Sequence, residues 1–514
     1  MSLGSGAAAL RLVPAAPVAD APPLEASTAE LLCLGGDARI HLGAAGLANR
    51  YGCGPRPDEA LIGFGSSTAS TISTDAFAAA DHLRRQLLDG LSAGASAHEL
   101  YDREVRRIRS ELLFLYGLDD AAEVILAPSG TDLHLFAGQL IAVGAPSRPL
   151  AIIPEEAETG SGVPAALAGG SLAAVEVRAV AARDPDGRPR DTAAADAEVE
   201  SLAEAAIAEN RRVLVVLIDV SKTGLISPSP ACALGLAARH PGHVMVLVDA
   251  CQLRLSAASL AAYLDHGALV AVTGSKFVTG PAFSAALLVP PPAAAKLAHR
   301  RLPSGLEAVS ARADWPEGWA GREAMSPVAN FGLLLRWRAA LTELARFAAV
   351  SPAQAAAVVA GLETAVEAAL AGHAELEPLA VRPLERGLGA AQGWDGRKTI
   401  FPFLLRSGPS GSWLTAEQTA RVWRLMREDL GAEVGGVDLQ ARAAARLRIE
   451  LGQPVAAGIK GGEPVSALRL CLSSRLVAEA AGGDPRTAAR LLSDARLALA
   501  KAAWLARSVV AASP

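Results

Sequence analysis

A lysine near the middle of the chain, Lys276, follows an apolar run and stands among small residues in Thr273-Gly274-Ser275-Lys276. Burial at the end of a strand takes water away from an amine, which lowers its pKa and makes it a nucleophile toward an aldehyde. A solvated surface lysine is the alternative interpretation. Lys276 is therefore a candidate for covalent chemistry, and the hydroxyls of Thr273 and Ser275 are candidates to bind a phosphate beside it.

A carboxylate ends another apolar run, in Val248-Asp249-Ala250-Cys251-Gln252. An acid at the end of a buried strand is costly unless it has a partner. A protonated pyridine nitrogen would be such a partner, and the carboxylate would keep that nitrogen charged, which makes the ring a better electron sink. Gln252 could then bond a phenolic oxygen on the same ring. The alternative is an aspartate that caps the next helix.

Two further segments are candidates to bind anions. Ser129-Gly130-Thr131 stands between a predicted strand and a predicted helix, where free N–H groups and the helix dipole favour a phosphate, although the same residues also make an ordinary N-cap. Arg469 lies inside an apolar run near the C-terminus. Its guanidinium fork would fit a substrate carboxylate, and a structural salt bridge is the alternative.

The elements that must position these residues are short apolar strands that alternate with helices. Such a pattern predicts a mostly parallel sheet covered on both faces, and ligands of such sheets bind beyond the carboxyl ends of the strands. The seven predicted strands are Glu123–Ala127, Leu150–Ile153, Ala173–Val180, Val213–Ile218, Val244–Val248, Leu269–Thr273 and Ala285–Val289. The helices predicted between them are Leu133–Val143, Ala195–Asn210, Ala231–Arg239 and Ser256–His266.

The chain divides into four predicted parts. An Ala- and Pro-rich flexible arm covers residues 1–28, a helical segment covers 29–120 with one helical stretch at 76–116, and the large domain covers 121–300. Residues 301–514 form a linker helix and a smaller C-terminal α+β domain. In that last part the predicted helices are Phe331–Val350, Pro352–Ala371, Ala416–Leu430 and Pro485–Val510, and the predicted strands are Lys398–Leu405 and Leu468–Leu472.

Composition argues against several classes of partner. The net charge of −5 is spread without a long basic run, so we expect no nucleic acid and no anionic membrane. The five cysteines form no C-x-x-C pair, so we expect no disulfide framework and no metal site. Without a signal-peptide pattern or an uninterrupted apolar stretch of about 18 residues, we expect a cytoplasmic protein.

Taken together, Ser129-Gly130-Thr131, Asp249 with Gln252, and Lys276 resemble the motifs of fold-type I pyridoxal-5′-phosphate (PLP) enzymes, in particular the aminotransferase class V and cysteine desulfurase branch. The resemblance covers about residues 76–510, with the specific motifs confined to 127–281. It implies an α/β PLP-dependent transferase-like fold, PLP held on Lys276 as a Schiff base, and a homodimer with active sites at the subunit interface.

The resemblance also implies roles around the cofactor. It puts Glu158 or Thr159 where the family covers the ring face, and Ser221 near the cofactor oxygen. An amino-acid substrate would displace Lys276 to form an external aldimine, and the freed lysine would act as general base toward a carbanion. Asp249 would keep the ring nitrogen protonated and Arg469 would hold the substrate carboxylate.

The reaction after the carbanion is left open between transamination and β/γ-elimination or replacement. We expect an aminotransferase-like transferase, with a PLP-dependent lyase as the alternative and a non-catalytic PLP-binding protein as a third interpretation. Desulfurization needs a mobile cysteine in the C-terminal half, and Cys471, which lies in a predicted strand, is the only cysteine after Cys251.

Overall fold

The computed structural model describes residues 24–43, 46–169, 175–302, 305–306, 309–389, 393–408, 411–434 and 439–511. Its strands are β1 (Leu61–Phe64), β2 (Glu123–Ala127), β3 (Leu150–Pro154), β4 (Glu176–Val180), β5 (Val213–Asp219), β6 (Ile226–Ser227), β7 (Val244–Ala250), β8 (Leu269–Thr273), β9 (Ala285–Val289), β10 (Leu376–Pro378), β11 (Ile400–Leu405), β12 (Arg448–Lys460) and β13 (Glu463–Cys471). Its helices are α1 (Thr28–Leu32), α2 (Thr74–Ser92), α3 (Ala97–Leu115), α4 (Gly130–Ala142), α5 (Val163–Leu167), α6 (Thr192–Ala208), α7 (Pro230–Arg239), α8 (Ala257–Asp265), α9 (Pro291–Leu297), α10 (Phe331–Ala348), α11 (Pro352–Ala371), α12 (Ala416–Leu425), α13 (Leu439–Arg446), α14 (Ser474–Ala481) and α15 (Pro485–Ala511).

The large sheet has the strand order β2-β9-β8-β7-β5-β3-β4. Neighbours from β8 to β4 pair in parallel, and β9 runs antiparallel to both β2 and β8. All seven predicted strands are present, and the prediction of a mostly parallel α/β sheet is confirmed. An eighth strand, β6, pairs with the end of β5. It was not predicted, because two residues after a turn carry no periodic pattern.

Helices cover both faces of this sheet, which is why β5 is buried along its whole length. One set of side chains, with Val215 and Val248 in it, packs against α2, α3, α6, α7, α8 and α10. The alternate set, with Leu214 and Leu247, packs against α4, α5 and α9. A parallel sheet enclosed in this way has its polar groups concentrated at the strand ends.

A second sheet has the order β1-β12-β13-β11-β10 and packs against α11, α12, α14 and α15. Its strand β1 comes from the N-terminal part of the chain and pairs in parallel with β12. The small domain is therefore not built from C-terminal residues alone. Strand β12 was not predicted, because Gly452 and Pro454 interrupt its apolar pattern.

Two predictions near the N-terminus differ from the structure. The helical stretch predicted at 76–116 is two helices, α2 and α3, separated where Gly94 adopts a φ of +96° and Ser96 begins a capping box with Glu99. Of the predicted arm at 1–28, residues 1–23 lie outside the described residues. Leu24 is buried and Ser27 caps α1, so the end of that segment is packed on the fold.

Helix α11 has the length and hydropathy of a membrane-spanning helix. Its apolar residues Val359, Leu362 and Val366 are buried in the cluster that also contains Leu499 of α15 and Val477 of α14. The apolar face of α11 is thus used within the small domain.

A buried arginine links the N-terminal segment to the large domain through hydrogen bonds. Arg336 of α10 is fully buried, and its guanidinium donates to the carbonyl oxygens of Phe283 at 2.8 Å, Gly35 at 3.0 Å and Leu34. Buried carbonyls that lose their donors destabilise a fold by about 1–3 kcal/mol each. Arg336 therefore holds the loop after α1 in a fixed position.

We predict that Arg336→Met lowers the free energy of unfolding by about 3 kcal/mol, because several buried carbonyls lose their donor at once. Urea denaturation followed by circular dichroism measures this. The matched control is Arg346→Met on the same helix, whose half-exposed ion pair with Asp75 contributes little, so its change should stay below about 1 kcal/mol. Equal effects of the two substitutions would contradict the prediction.

Candidate active site

A cavity of about 280 Å³ opens beyond the carboxyl ends of the central strands, between the large sheet and the small one. All eleven residues predicted from the sequence line it: Ser129, Gly130, Thr131, Glu158, Ser221, Asp249, Gln252, Thr273, Ser275, Lys276 and Arg469. These side chains come from positions separated by up to 340 residues of chain, and the parallel strand order brings them to one edge. The assembly of the predicted site at the strand ends agrees with the general rule for such sheets.

Asp249, at the end of β7, is held as a buried carboxylate. Its Oδ2 lies 3.4 Å from His134 Nε2 and 3.5 Å from the Thr159 hydroxyl, and its Oδ1 accepts the Cys251 N–H at 3.1 Å. Burial alone would raise the pKa of Asp249, but the nearby imidazole and the Cys251 N–H outweigh burial and lower that pKa to about 2. The group is therefore negatively charged at neutral pH.

His134 was not identified from the sequence. It lies in the first turns of α4, is almost fully buried, and its Nδ1 is 2.7 Å from the Gly130 carbonyl oxygen. That carbonyl can only accept, so Nδ1 carries a proton and Nε2 faces Asp249. Burial lowers the pKa of His134, but the Asp249 carboxylate overcomes this and raises it. The feature of the sequence that could have indicated His134 is a single histidine within the otherwise apolar run Leu133–Phe136.

Lys276 follows β8, and its side chain is partly exposed and lines the cavity. Its Nζ lies 3.4 Å from the Ser67 carbonyl oxygen. Burial, followed by repulsion from Arg469 and Lys222, lowers the pKa of Lys276 to about 8. A substantial neutral fraction therefore exists slightly above neutral pH, as a nucleophilic amine requires.

The N-terminus of α4 forms one end of the cavity, but some of the predicted hydroxyl donors there are already engaged. The Ser129 hydroxyl donates to Asp132 Oδ2 at 2.7 Å, and the Thr273 hydroxyl donates to the Cys251 carbonyl oxygen at 2.7 Å. The N–H groups of Gly130 and Thr131 belong to the first turn of α4 and have no acceptor within the helix. A side chain at position 130 would meet Cys251 Sγ at 2.7 Å, so glycine is required there.

Arg39 brings a positive charge to this same end. Its Nη1 lies 3.3 Å from Thr131 Oγ1 and its Nη2 lies 3.3 Å from Ser129 Oγ. The Arg39 Nε donates to Asp37 Oδ1 at 2.9 Å, and the guanidinium carbon lies 4.9 Å from the centre of the Phe283 ring. The sequence carried no signal for this contact, because Arg39 is about 90 residues from the motif that it meets.

Arg469 of β13 enters the cavity from the small domain. Its guanidinium donates to the carbonyl oxygens of Lys222 at 3.1 Å and Gln453 at 2.6 Å and to the Thr68 hydroxyl at 2.8 Å, while its buried Nε has no hydrogen-bond partner. Within the described ranges no carboxylate lies within 4.0 Å of it, which contradicts the alternative of a structural salt bridge. Burial lowers the pKa of Arg469 to about 10.

Glu158 and Ser221 line the cavity but are bound to each other and to their neighbours. The Glu158 carboxylate accepts Arg183 Nε at 2.6 Å and the hydroxyls of Ser221 and Thr223 at 2.6 and 2.7 Å. Gln252 donates through Nε2 to the Ser67 carbonyl oxygen at 2.9 Å. The Ser67 hydroxyl, by contrast, is buried without a hydrogen-bond partner.

No family model and no curated protein matches this chain. Solved structures do resemble it: a NifS-like protein has a TM-score of 0.52 at 12% identity, covering 85% of this chain and 98% of its own. The cystine C-S lyase C-DES, in complex with its reaction product cysteine persulfide, has a TM-score of 0.51 at 16% identity, covering 84% and 97%. The cysteine desulfurase CsdA from Escherichia coli has a TM-score of 0.50 at 16% identity, covering 84% and 96%. The chain therefore has the fold of PLP-dependent fold-type I enzymes, as the motifs predicted.

We predict that Arg469→Met raises the pKa of Lys276 above its value of about 8, because a repelling cation is removed. The amine then becomes reactive at higher pH than in the unmodified protein. Acylation of ligand-free protein over a pH series, with peptide mass mapping of Lys276, measures the midpoint. Arg406→Met is the control, since Arg406 stacks on Trp413 in the small domain. A midpoint that stays or falls in Arg469→Met would refute the electrostatic coupling.

Proposed function

We propose that the protein is a PLP-dependent enzyme that acts on an amino acid at its α-carbon, with Lys276 as the residue that carries the cofactor. The observation that supports this most strongly is the placement of an amine with a lowered pKa, Lys276, and a carboxylate with a lowered pKa, Asp249, in one cavity. A solved structure with the same fold, the C-DES protein with glycine covalently linked to its PLP cofactor, matches at 17% identity and a TM-score of 0.53. By the same resemblance we also propose a homodimer.

The residues present fit this cofactor. Arg39 and the free N–H groups of Gly130 and Thr131 would hold the phosphate, where the helix dipole also favours an anion. Asp249 would accept the N–H of the pyridine ring, and Gln252 would lie beside the ring oxygen. We assign the ring face to Thr159 rather than Glu158, because the Thr159 hydroxyl is beside Asp249 while the Glu158 oxygens are occupied.

When bound, the cofactor supplies an electron sink for the pair of electrons left at the substrate α-carbon. Asp249 keeps its charge throughout because His134 and the Cys251 N–H stabilise the carboxylate. The Lys276 amine would be the base that takes the α-proton, and its lowered pKa suits that task near neutral pH. Arg469 lines the cavity and would bind the substrate carboxylate through its guanidinium.

Among the possible reactions we propose amino transfer, with elimination or replacement as the alternative. The cysteines do not support desulfurization by a thiol nucleophile. Cys471 is fully buried in β13, and burial followed by the charge of Asp249 raises the pKa of Cys251 well above its ordinary value. A thiol that stays protonated is a poor nucleophile. Formation of a new amino acid from an added keto acid would mark transfer, and release of ammonia without an acceptor would mark elimination.

We predict that protein incubated with PLP and reduced with borohydride carries a phosphopyridoxyl group on Lys276. Lys222 lines the same cavity and also has a pKa lowered, by burial first, to about 8, so it is the internal competitor for the label. Mass mapping should find the group on Lys276 and not on Lys222, and Lys276→Ala should abolish it. A label on Lys222, or none at all, would refute the proposed function.

We predict that Arg39→Gln weakens PLP binding by about tenfold or more, because a charge-assisted contact to the phosphate is lost. Binding of pyridoxal, which lacks the phosphate, should stay unchanged, and fluorescence titration of both compounds measures the difference. Arg85→Gln, which breaks only an exposed pair with Asp81 on α2, is the control. If Arg39→Gln weakens pyridoxal and PLP equally, Arg39 acts through the fold and not on the phosphate.

A further inference from the structure

The cavity holds more positive charge than its own carboxylates balance. Its lining carboxylates, Asp249 and Glu158, already lie beside His134 and Arg183. Among the described residues, no carboxylate lies within 4.0 Å of the lining cations Arg50, Lys222, Lys276 and Arg469. Uncompensated cations in a partly buried site favour an anionic ligand.

The proposed function leaves two cations of this group, Lys222 and Arg50, without a role, and Lys222 is the less exposed of the two. It follows β5, and its backbone is held on both sides: its N–H donates to the Glu158 carbonyl oxygen at 3.1 Å, and its carbonyl oxygen accepts Arg469 Nη1 at 3.1 Å. Its side-chain Nζ donates to the Glu156 carbonyl oxygen at 3.1 Å. An ammonium has three donors, so two remain for a ligand.

The ligand-free cavity stabilises the charge of Lys222 poorly. Burial, followed by repulsion from Arg469, lowers the pKa of Lys222 to about 8, although the charges of Glu158, Glu156 and Asp249 act in the opposite direction. The Glu156 contact is to a neutral carbonyl, so it orients the ammonium without neutralising it. The side chain is therefore placed to gain from a negative group that enters the cavity.

One carboxylate does not balance both cations. Once the Lys276 amine is bound to the cofactor aldehyde, Arg469 and Lys222 remain as the cations at the small-domain side, with Arg50 exposed at the rim. The α-carboxylate of an amino acid brings a single negative charge. A guanidinium and an ammonium that flank it leave one buried positive charge, which is costly without a partner.

We infer that the substrate is an amino acid whose side chain ends in a second anionic group, and that Lys222 binds this group while Arg469 binds the α-carboxylate. This inference rests on the proposed function, because it assumes that a substrate amino acid is held at the cofactor. The chemistry of Lys222 admits a carboxylate, a sulfonate or a phosphate at the end of that side chain.

The test compares acids with their neutral isosteres. Protein loaded with PLP is titrated with aspartate against asparagine and with glutamate against glutamine, and with cysteate and O-phosphoserine as larger anions. The change in the visible spectrum of the bound cofactor gives each dissociation constant. We expect at least one anionic compound to bind about tenfold or more tightly than its neutral counterpart, as for other charge-assisted contacts.

Variants then assign the preference to Lys222. Lys222→Met should remove it and leave the affinity for asparagine and glutamine within about twofold, while Lys222→Arg should retain it. The control Lys296→Met changes a lysine on α9 outside the cavity. Borohydride labelling of Lys276 in every variant shows that the cofactor site is intact.

Three results would overturn the inference: no preference for acids over their isosteres, a preference that survives Lys222→Met, or no response to any anionic amino acid of the panel. In each case a label on Lys276 would leave the proposed function standing. Loss of the label in unmodified protein would instead refute the proposed function itself.

Discussion

The carboxylate of Asp249 imposes the strictest constraint on this site. In the register of the sheet it stands between Ile218 of β5 and Ala271 of β8, so its strand neighbours offer no polar side chain. A buried charge at such a position must find its partners on other elements. They are His134 on α4 and Thr159 in the loop after β3. The positions of that helix and that loop thus follow from the need to keep one carboxylate ionised.

The buried arginines of the molecule do not all have charged acceptors. Away from the cavity, Arg386 meets Asp219 through two bonds of 2.7 Å, an ion pair in which the charges cancel. At the junction of the two sheets, Arg254 and Arg469 donate instead to carbonyl oxygens, such as that of Leu472 at 2.7 Å for Arg254. Carbonyls fix the geometry of a guanidinium but leave its charge uncompensated. The same contacts that join the small sheet to the large one therefore make the cavity attractive to anions.

Much of the fold was predictable because local patterns of apolar and capping residues specify its strands and helices. Most of the longer strands of the large sheet are nearly continuous apolar runs, with β4, which contains Glu176 and Arg178, as the exception, and β2, β8 and β9 have the predicted bounds. The break between α2 and α3 was also readable, since Ser96 and Glu99 form a capping box. Strands β1 and β12 were not, because β1 has its partner in a distant part of the chain, and Gly452 and Pro454 interrupt the apolar pattern of β12. His134 and Arg39 join the site only through tertiary contacts, which no local spacing encodes.

The motif residues also show what a sequence motif can and cannot specify. Ser129 and Thr273 line the cavity, yet their hydroxyl protons go to Asp132 and to the Cys251 carbonyl oxygen. The Ser129 side chain also caps α4, so both interpretations of this segment, an anion site and an N-cap, describe the same geometry. With these two hydroxyls engaged, the donors available to an anion include backbone N–H groups, the Thr131 hydroxyl and the guanidinium of Arg39. The motif thus supplies the helix start and its backbone N–H groups, and the charge that would balance a phosphate comes from Arg39, in a distant part of the chain.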